Sequence, residues 1–510
     1  MQPLMPQDAE DDGQTSTSAR RFWQNFSLRI FFQSEYHLLA GFAADDTAKR
    51  AWGFVSPLIL YYLFPSTFFV IALYNLIANV GSVIFVPIFL KTITSFSRLS
   101  FVAITILIEA CASFVNMSLI LWLISQKLQP GVDLELNPWV VTAMTLVILM
   151  GTVAAITNRL RSLAIRRDWV PQLSLLEPAD EQEIVLTRMN CNIVRAQLLS
   201  EIIGPIIGGY LLLLLSHSMA AFITFVILMI SFMTEIGFLW YVCNVKTELL
   251  LPSDVADEVG LSGSWLVTLR RVFSVCTGCK LLLSHRVLYV IVAVGLIYFN
   301  VLAPGSGMFM AYLTYAHLDP SKIGIFRVAA AIGGFLGTTI FPVIIRWVGL
   351  HRASALALLF EVISLWVSVT SLSFLKTVES PVGYIFLVCV VLSRAGLYSY
   401  DIGAANLVQL GTEPKFVGLI NAQEQSLIDL MMIVLYGASA VFAKPSQFFF
   451  LSVVSASFCS LALFSISWFC FKHRDMNEFK QLAQSLRSPE SNENSPEMIF
   501  PRSEKSNSSD

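Results

Sequence analysis

Polar side chains recur at helical spacing inside long runs of apolar residues, and they are the groups in this sequence that could do chemistry. Asn421, Gln425 and Asp429 are spaced by four residues, which places all three on one face of a helix. Met432 follows three residues later and lies on the same face. A polar group in hydrocarbon is costly unless it faces the protein interior or water. The stripe therefore predicts the lining of a polar cavity.

A second stripe lies in an earlier apolar run, where Asn190, Gln197 and Glu201 again share one helix face. Arg394 and Asp401 are seven residues apart on one face, and they are predicted to form an internal ion pair that supports folding or gating. The alternative for all these groups is structural, as hydrogen bonds that join neighbouring helices. It applies equally to the single acids in apolar runs, which are Glu109, Glu235 and Glu361.

One apolar run is interrupted by the segment Ala303-Pro-Gly-Ser-Gly-Met. Pro304 removes a helix hydrogen bond, and Gly305 and Gly307 tolerate an unwound backbone. A discontinuous helix at membrane depth exposes carbonyl oxygens that can coordinate a cation, and methionine thioethers are soft metal ligands. The alternative is a packing kink, which membrane helices also tolerate.

Composition places the chain among integral membrane proteins. Apolar residues make up 55% of the sequence, charged residues 13%, and mean hydropathy is +0.69, whereas soluble domains carry about 25% charged residues. A net charge of −2 argues against a nucleic-acid partner. The sequence contains no nucleophile elbow, phosphate-binding loop or HExxH motif, so neither an enzymatic activity nor a cofactor is predicted.

Twelve apolar runs each have about the 20 residues that cross a bilayer as a helix. They predict an all-α membrane protein with a major-facilitator-like bundle of two six-helix halves. The predicted domains, in chain order, are a cytoplasmic N-terminal tail that could hold an interfacial helix (1–34), the first half (35–243), a cytoplasmic linker (244–286), the second half (287–471) and a disordered cytoplasmic tail (472–510).

Basic residues cluster on one side of the predicted spans, and by the positive-inside rule that side is the cytoplasm. Both termini are therefore predicted to be cytoplasmic. The basic residues on this side are Arg20, Arg21, Lys91, Arg98, Arg159, Arg161, Arg166, Arg167, Arg270, Arg271, Lys280, Arg346, Arg352, Lys472 and Arg474.

Three segments stand out in order along the chain. The first is Arg167-Asp168-Trp169, followed by Met189-Asn190 and Gly204-Pro205. The second runs from Arg394 to Asp401, and the third is Gly418-Leu-Ile-Asn421 with Gln425 and Asp429. Together they resemble the ferroportins, a family of divergent major-facilitator exporters of ferrous iron. Weaker similarity extends the resemblance over nearly all of the membrane domain.

The resemblance implies one metal site in each half and an exchange of the metal for protons. Carried over by position, the first-helix aspartate of animal ferroportins falls at Lys49, with Asp46 close by. The seventh-helix cysteine falls near Ser306, and the eleventh-helix histidine falls at Met432 when Asp429 is the anchor. Four residues are therefore the expected metal ligands, and Asp429 is the expected site of proton coupling. The four are Asp46, Ser306, Asp429 and Met432.

Other site positions also follow from the resemblance. The fifth-helix acid falls at Gln197, and the sixth-helix residues fall near Leu228, Ser231 and Phe232. The expected substrate-binding residues are Gln197, Ser231, Phe232, Ser306, Gln425 and Met432. Because most of the family's best-known ligands are replaced here, two alternatives stay open: a carrier of a non-metal solute, and a transport-dead membrane receptor or scaffold.

The expected function is export of a divalent metal cation by alternating access. Ferrous iron is the first candidate substrate, with cobalt or nickel as alternatives. The chain is expected to be a monomer in a lipid bilayer. The plasma membrane is its first expected location, and a vacuolar or other organelle membrane is the alternative.

Overall fold

The computed structural model describes residues 34–90, 96–129, 137–176, 182–250, 287–374, 380–412 and 414–472, and long helices account for most of them. The helices of the first half are α1 (Ser34–Leu63), α2 (Phe69–Leu90), α3 (Arg98–Lys127), α4 (Pro138–Ala164), α5 (Val170–Leu175), α6 (Gln182–Leu214) and α7 (His217–Val245). Those of the second half are α8 (Leu288–Ile297), α9 (Gly307–Tyr315), α10 (Pro320–Val348), α11 (Leu350–Ser373), α12 (Pro381–Gly411), α13 (Pro414–Val441) and α14 (Phe448–Lys472). A π-helical turn, Ile165–Trp169, joins α4 to α5.

Local sequence sets where several helices begin. Ser97, Asn137, Ser216 and Ser380 precede α3, α4, α7 and α12, and each side chain accepts a hydrogen bond from a backbone amide of the first turn. Proline occupies the first turn of α4, α10 and α12, where its missing amide proton costs nothing.

Ten of the described helices are long and apolar enough to cross a membrane. The two remaining predicted spans are α1 and the pair α8–α9. Helix α1 has 30 residues but carries Asp45, Asp46, Lys49 and Arg50, and α8 and α9 are the two pieces of an interrupted helix. The prediction of an all-α membrane bundle of about twelve spans is confirmed.

The predicted domain boundaries lie near helix ends, since α7 ends at Val245 and α14 at Lys472. The two tails and most of the linker lie outside the described residues, so their structure stays a prediction.

The two halves are joined chiefly at one end of the bundle. We call the end where α1 begins and α14 ends the terminal end, and the opposite end the loop end. At the loop end one hydrophobic core combines Phe54 and Phe68 of the first half with Phe309 and Phe448 of the second. The Phe68 amide also donates to the Ala443 carbonyl oxygen at 2.8 Å. At the terminal end, the described residues form cores that stay within one half.

Candidate transport cavities

Two polar cavities lie between the halves, on either side of the interrupted seventh span. The first, which we call the arginine cavity, has a volume of about 390 Å³, and its lining includes Arg50, Arg327 and Arg394. The second, the asparagine cavity, has a volume of about 310 Å³, and its lining includes Asn75, Asn116 and Asn158. Gly305 and Tyr436 line both cavities. The predicted break therefore lies at the boundary between the two cavities.

The break itself spans residues 298–306, between the end of α8 and the start of α9. Its backbone is held from two sides: Asn300 Oδ1 accepts from the Leu302 amide at 2.9 Å, and Ser455 Oγ accepts from the Val301 amide at 3.0 Å. Two buried groups at the break have no hydrogen-bond partner, Asn300 Nδ2 and Ser306 Oγ. The break thus offers unused polar atoms next to the arginine cavity.

The charges that line the arginine cavity are mostly positive. Arg50 Nη1 pairs with Glu201 Oε1 at 2.8 Å, and the Tyr398 hydroxyl donates to Glu201 Oε2 at 3.4 Å. Arg327 instead contacts Met310 Sδ at 3.6 Å and lies 5.7 Å from the centre of the Phe54 ring. Neither neighbour is an anion, and the Glu201 carboxylate interacts with the Arg327 guanidinium only at longer range.

Arg394 is likewise without an acidic contact in the described part of the chain. Its side chain is buried, and its Nε and Nη2 donate to Ser393 Oγ at 3.3 and 3.2 Å. Asp401 and Glu361 are near enough to interact with Arg394 electrostatically, but neither carboxylate makes a direct ion pair with it among the described contacts. The role of the Arg394–Asp401 pair in folding or gating stays a prediction.

A buried charge cluster, Asp45, Lys49, Glu109, Arg161 and Glu235, lies beside the asparagine cavity. Arg161 contacts Asp45 Oδ2 at 3.0 Å, Glu109 Oε2 at 2.6 Å and Glu235 Oε2 at 3.1 Å. Its side chain is 1% exposed, so these contacts are shielded from water. Four helices of the first half, α1, α3, α4 and α7, therefore meet at one guanidinium.

Lys49 completes the cluster and also lines the asparagine cavity. Its ammonium lies 2.6 Å from Asp45 Oδ2, 3.3 Å from Glu109 Oε1 and 2.6 Å from Asn158 Oδ1. A cationic side chain thus occupies the position at which the family resemblance places a metal-binding aspartate. The nearby Asp46 points elsewhere, since its Oδ2 lies 3.5 Å from Arg50 Nε.

The other expected site residues fall into two groups. Ser306 and Met432 line the arginine cavity, as the sequence predicts for a shared site. Ser231 donates to the Leu228 carbonyl of its own helix at 2.8 Å, and Phe232 packs in the core of the first half. Gln197 is half-buried in α6. The substrate role of these residues stays a prediction.

Asp429 and Gln425 lie on the predicted face of α13, where Gln425 Nε2 donates to Asp429 Oδ1 at 3.2 Å. Asp429 also meets Arg159 of α4 across the seam, with Nη1 3.5 Å from Oδ2. The contact joins the two halves. It supports either a gating role or the coupling role predicted for Asp429.

Sequence reasoning missed three functional candidates, Arg50, Arg161 and Arg327, and it assigned Lys49 no role of its own. It counted Arg161 among loop cations, whereas the structure buries Arg161 within α4. Arg327 lies inside a span that crosses the membrane. The rule that an intramembrane charge faces a cavity or a partner would have identified it.

Among the described residues, no group of three or more His, Cys, Asp or Glu side chains is arranged to hold a metal ion. Three carboxylates do converge at Arg161, but the guanidinium occupies the space between them.

Comparison with known proteins connects this geometry to a family. The sequence model of the Ferroportin1 (FPN1) family matches residues 33–459. A relative from Bdellovibrio bacteriovorus, named ferreportin, is 25% identical over 448 residues, which are 85% of this chain and 94% of the relative.

Solved structures show the same architecture. The crystal structure of a bacterial homologue of the iron transporter ferroportin, in an inward-facing state, matches with a TM-score of 0.72 at 24% identity, covering 86% of this chain and 98% of that chain. The xylose transporter XylE from E. coli matches with a TM-score of 0.54 at 14% identity, covering 87% and 97%. Both likenesses show a major-facilitator bundle.

Proposed function

The chain belongs to the ferroportin family, and from that premise we propose that it carries a divalent metal cation across a membrane by alternating access. Ferrous iron is the first candidate, with cobalt or nickel as alternatives, and the proposed direction is export from the cytoplasm. The protein is a multi-pass membrane protein. We propose the plasma membrane as its location, with a vacuolar or other organelle membrane as the alternative, and a monomer as its state.

One observation carries the proposal: two polar cavities adjoin a broken helix at the seam between two six-helix halves. Transporters of this fold place the substrate between the halves near the midplane and rock the halves around it. A shared core seals the loop end, while the terminal ends pack separately. This asymmetry is what one end state of an alternating-access cycle requires.

We further propose that the terminal end faces the cytoplasm, which makes this an inward-facing state. Arg346 and Arg352 support the orientation, because both are exposed at that end next to the boundary between α10 and α11. Lys127 is at the loop end, but its ammonium is engaged by the Tyr62 and Leu63 carbonyl oxygens. A cation at the loop end argues against a cytoplasmic terminal end, but a cation bound by carbonyl oxygens is weaker evidence than a free one.

Labelling of single cysteines tests the orientation. In a background without the native cysteines, Ser125→Cys at the loop end should react with an impermeant maleimide only from outside intact cells. Lys472→Cys should react only after permeabilisation. Reaction of both positions from the same side would contradict the proposed topology.

Metal flux into proteoliposomes tests the function. The purified full-length protein should move Fe²⁺ faster than protein-free vesicles do, with Co²⁺ and Ni²⁺ tested in the same series. If a folded preparation moves none of these ions, the metal proposal is wrong and the non-metal carrier or the receptor becomes the working hypothesis.

Asp429→Asn tests proton coupling. A carboxylate must lose its proton to bind a metal, so metal affinity should fall as the group protonates. The asparagine variant should keep its folded yield but lose most of the pH dependence of metal flux. Asp319→Asn is the matched control, because Asp319 lies at the loop end with an exposed side chain. A wild-type pH profile in Asp429→Asn would exclude the coupling role and leave the Arg159 contact as a gate.

A further inference from the structure

We propose that the arginine cavity binds a small di- or tricarboxylate anion, either free or as the ligand of a transported metal. The site is defined by its own hydrogen-bond donors. It can therefore exist whether or not the metal proposal above is correct.

The lining of the arginine cavity carries more positive than negative side chains. Three guanidinium groups line the cavity, those of Arg50, Arg327 and Arg394, against one carboxylate, that of Glu201. Glu201 is already paired with Arg50 at 2.8 Å. Arg327 and Arg394 make no direct ion pair among the described contacts; Glu201 interacts with Arg327, and Asp401 and Glu361 with Arg394, only at longer range. A bare divalent cation is repelled from such a wall, whereas a carboxylate is attracted.

The guanidiniums of Arg327 and Arg394 have hydrogen-bond donors that their neighbours do not use. Arg327 makes contact with a thioether and an aromatic ring, and Arg394 with a serine hydroxyl. A guanidinium presents its N–H groups as a planar fork that matches a carboxylate with two parallel hydrogen bonds. The contacts named above leave other N–H groups of both guanidiniums available, and because both residues line the cavity, a ligand or water there can supply the acceptor.

The broken helix adds further polar groups to the lining of the cavity. Asn300 Nδ2 and Ser306 Oγ are both buried without a hydrogen-bond partner, and both residues line the cavity. The side chain of Arg327 points towards the same segment, since its Nη2 would lie 3.7 Å from a Cβ placed on Gly305. Residues that carry two guanidiniums, an amide and a hydroxyl thus line one space, which suits an anion with several oxygen atoms.

The volume of the arginine cavity suits a small organic molecule. A volume of about 390 Å³ falls within the range of roughly 300–1,000 Å³ that is usual for small-molecule sites. It exceeds what one dehydrated metal ion needs and accommodates a molecule with two or three carboxylates. Leu397 and Leu435 line the cavity as apolar neighbours, and they would exclude water from the bound charges.

Binding of radiolabelled citrate to the purified full-length protein tests the proposal, with Fe²⁺–citrate, Fe²⁺ alone and acetate as separate arms. Citrate binding without iron would identify a free anion as the ligand, and binding of the iron complex alone would identify a chelate. Arg327→Gln should weaken binding at least about tenfold, because it removes charge-assisted hydrogen bonds. Arg346→Gln is the matched control, since it removes an exposed guanidinium from the same helix and should change binding by less than about twofold.

Absence of binding for both citrate and Fe²⁺–citrate, or equal binding by wild type and Arg327→Gln, would overturn the proposal. If Arg327→Gln does not fold, thermal stabilisation of the wild-type protein by citrate over acetate at equal ionic strength decides instead. Fe²⁺ flux that needs no carboxylate would leave the metal function standing and exclude the chelate as the ligand. Citrate binding without metal flux would leave this inference standing and overturn the metal function.

Discussion

Replacing Arg161 with methionine should nearly abolish the folded yield of the protein. The change leaves Asp45, Glu109 and Glu235 buried together with only the Lys49 ammonium to balance them. Removing one partner of a buried ion pair costs about 3–5 kcal/mol, because the remaining charge is neither solvated nor paired. Typical domains are stable by only about 5–15 kcal/mol. Yield and melting temperature in detergent, followed by size-exclusion fluorescence, measure the effect.

Arg159→Met is the matched control for Arg161→Met. It makes the same change two residues earlier in α4, but the Arg159 side chain is 41% exposed and its contact with Asp429 is long, at 3.5 Å. Its melting temperature should stay close to that of the wild type. Adding Glu235→Gln to Arg161→Met should restore part of the yield, since one uncompensated charge is removed. A wild-type melting temperature in Arg161→Met would show that water, not Arg161, balances the carboxylates.

Gly324→Leu should shift the protein away from the conformation that is closed at the loop end. A Cβ at Gly324 would lie 2.8 Å from the Pro205 carbonyl oxygen and 3.7 Å from the Gly209 Cα. Backbone atoms cannot rotate aside, so α6 and α10 must separate. The two helices belong to different halves. Overpacking of this kind costs about 1–3 kcal/mol, which changes the ratio of closed to open conformers roughly 5- to 150-fold.

Cross-linking across the seam measures this shift. Thr67→Cys and Ala443→Cys, in a background without the native cysteines, are joined by a thiol reagent when the loop end is closed, because Thr67 Oγ1 lies 3.5 Å from the Ala443 carbonyl oxygen. Cross-linking should fall several-fold in Gly324→Leu. Gly237→Leu is the control, since a Cβ there meets no atom within 4 Å. Equal cross-linking in all three proteins would show that the α6–α10 contact does not set the conformation.

The architecture follows from the sequence because each span buries its apolar surface in one solvent, the bilayer, whatever its neighbours are. The break in the seventh span was equally predictable, since Pro304 and the glycines around it interrupt the helix through their effect on the local backbone. Both features depend on residues within about 20 positions of one another. No tertiary contact is needed to predict them.

The sites were only partly predictable because helical spacing defines a face but not the partner it meets. Ser306 and Met432 do line one cavity, whereas Asp429 meets Arg159 and Gln425 donates to Asp429. Glu109 and Glu235 looked like isolated acids in the sequence. The structure brings them together at Arg161, and only the packing of four helices reveals that convergence.

The short unwound segment at residues 298–306 has a thermodynamic consequence. The segment is a partition between the arginine cavity and the asparagine cavity, and Gly305 lines both of them. A ligand that moves this partition while filling one compartment changes the free energy of filling the other. Such coupling is reciprocal: each occupant must alter the affinity for the other by the same factor. Two solutes bound on opposite sides of the partition would therefore be thermodynamically linked without ever touching.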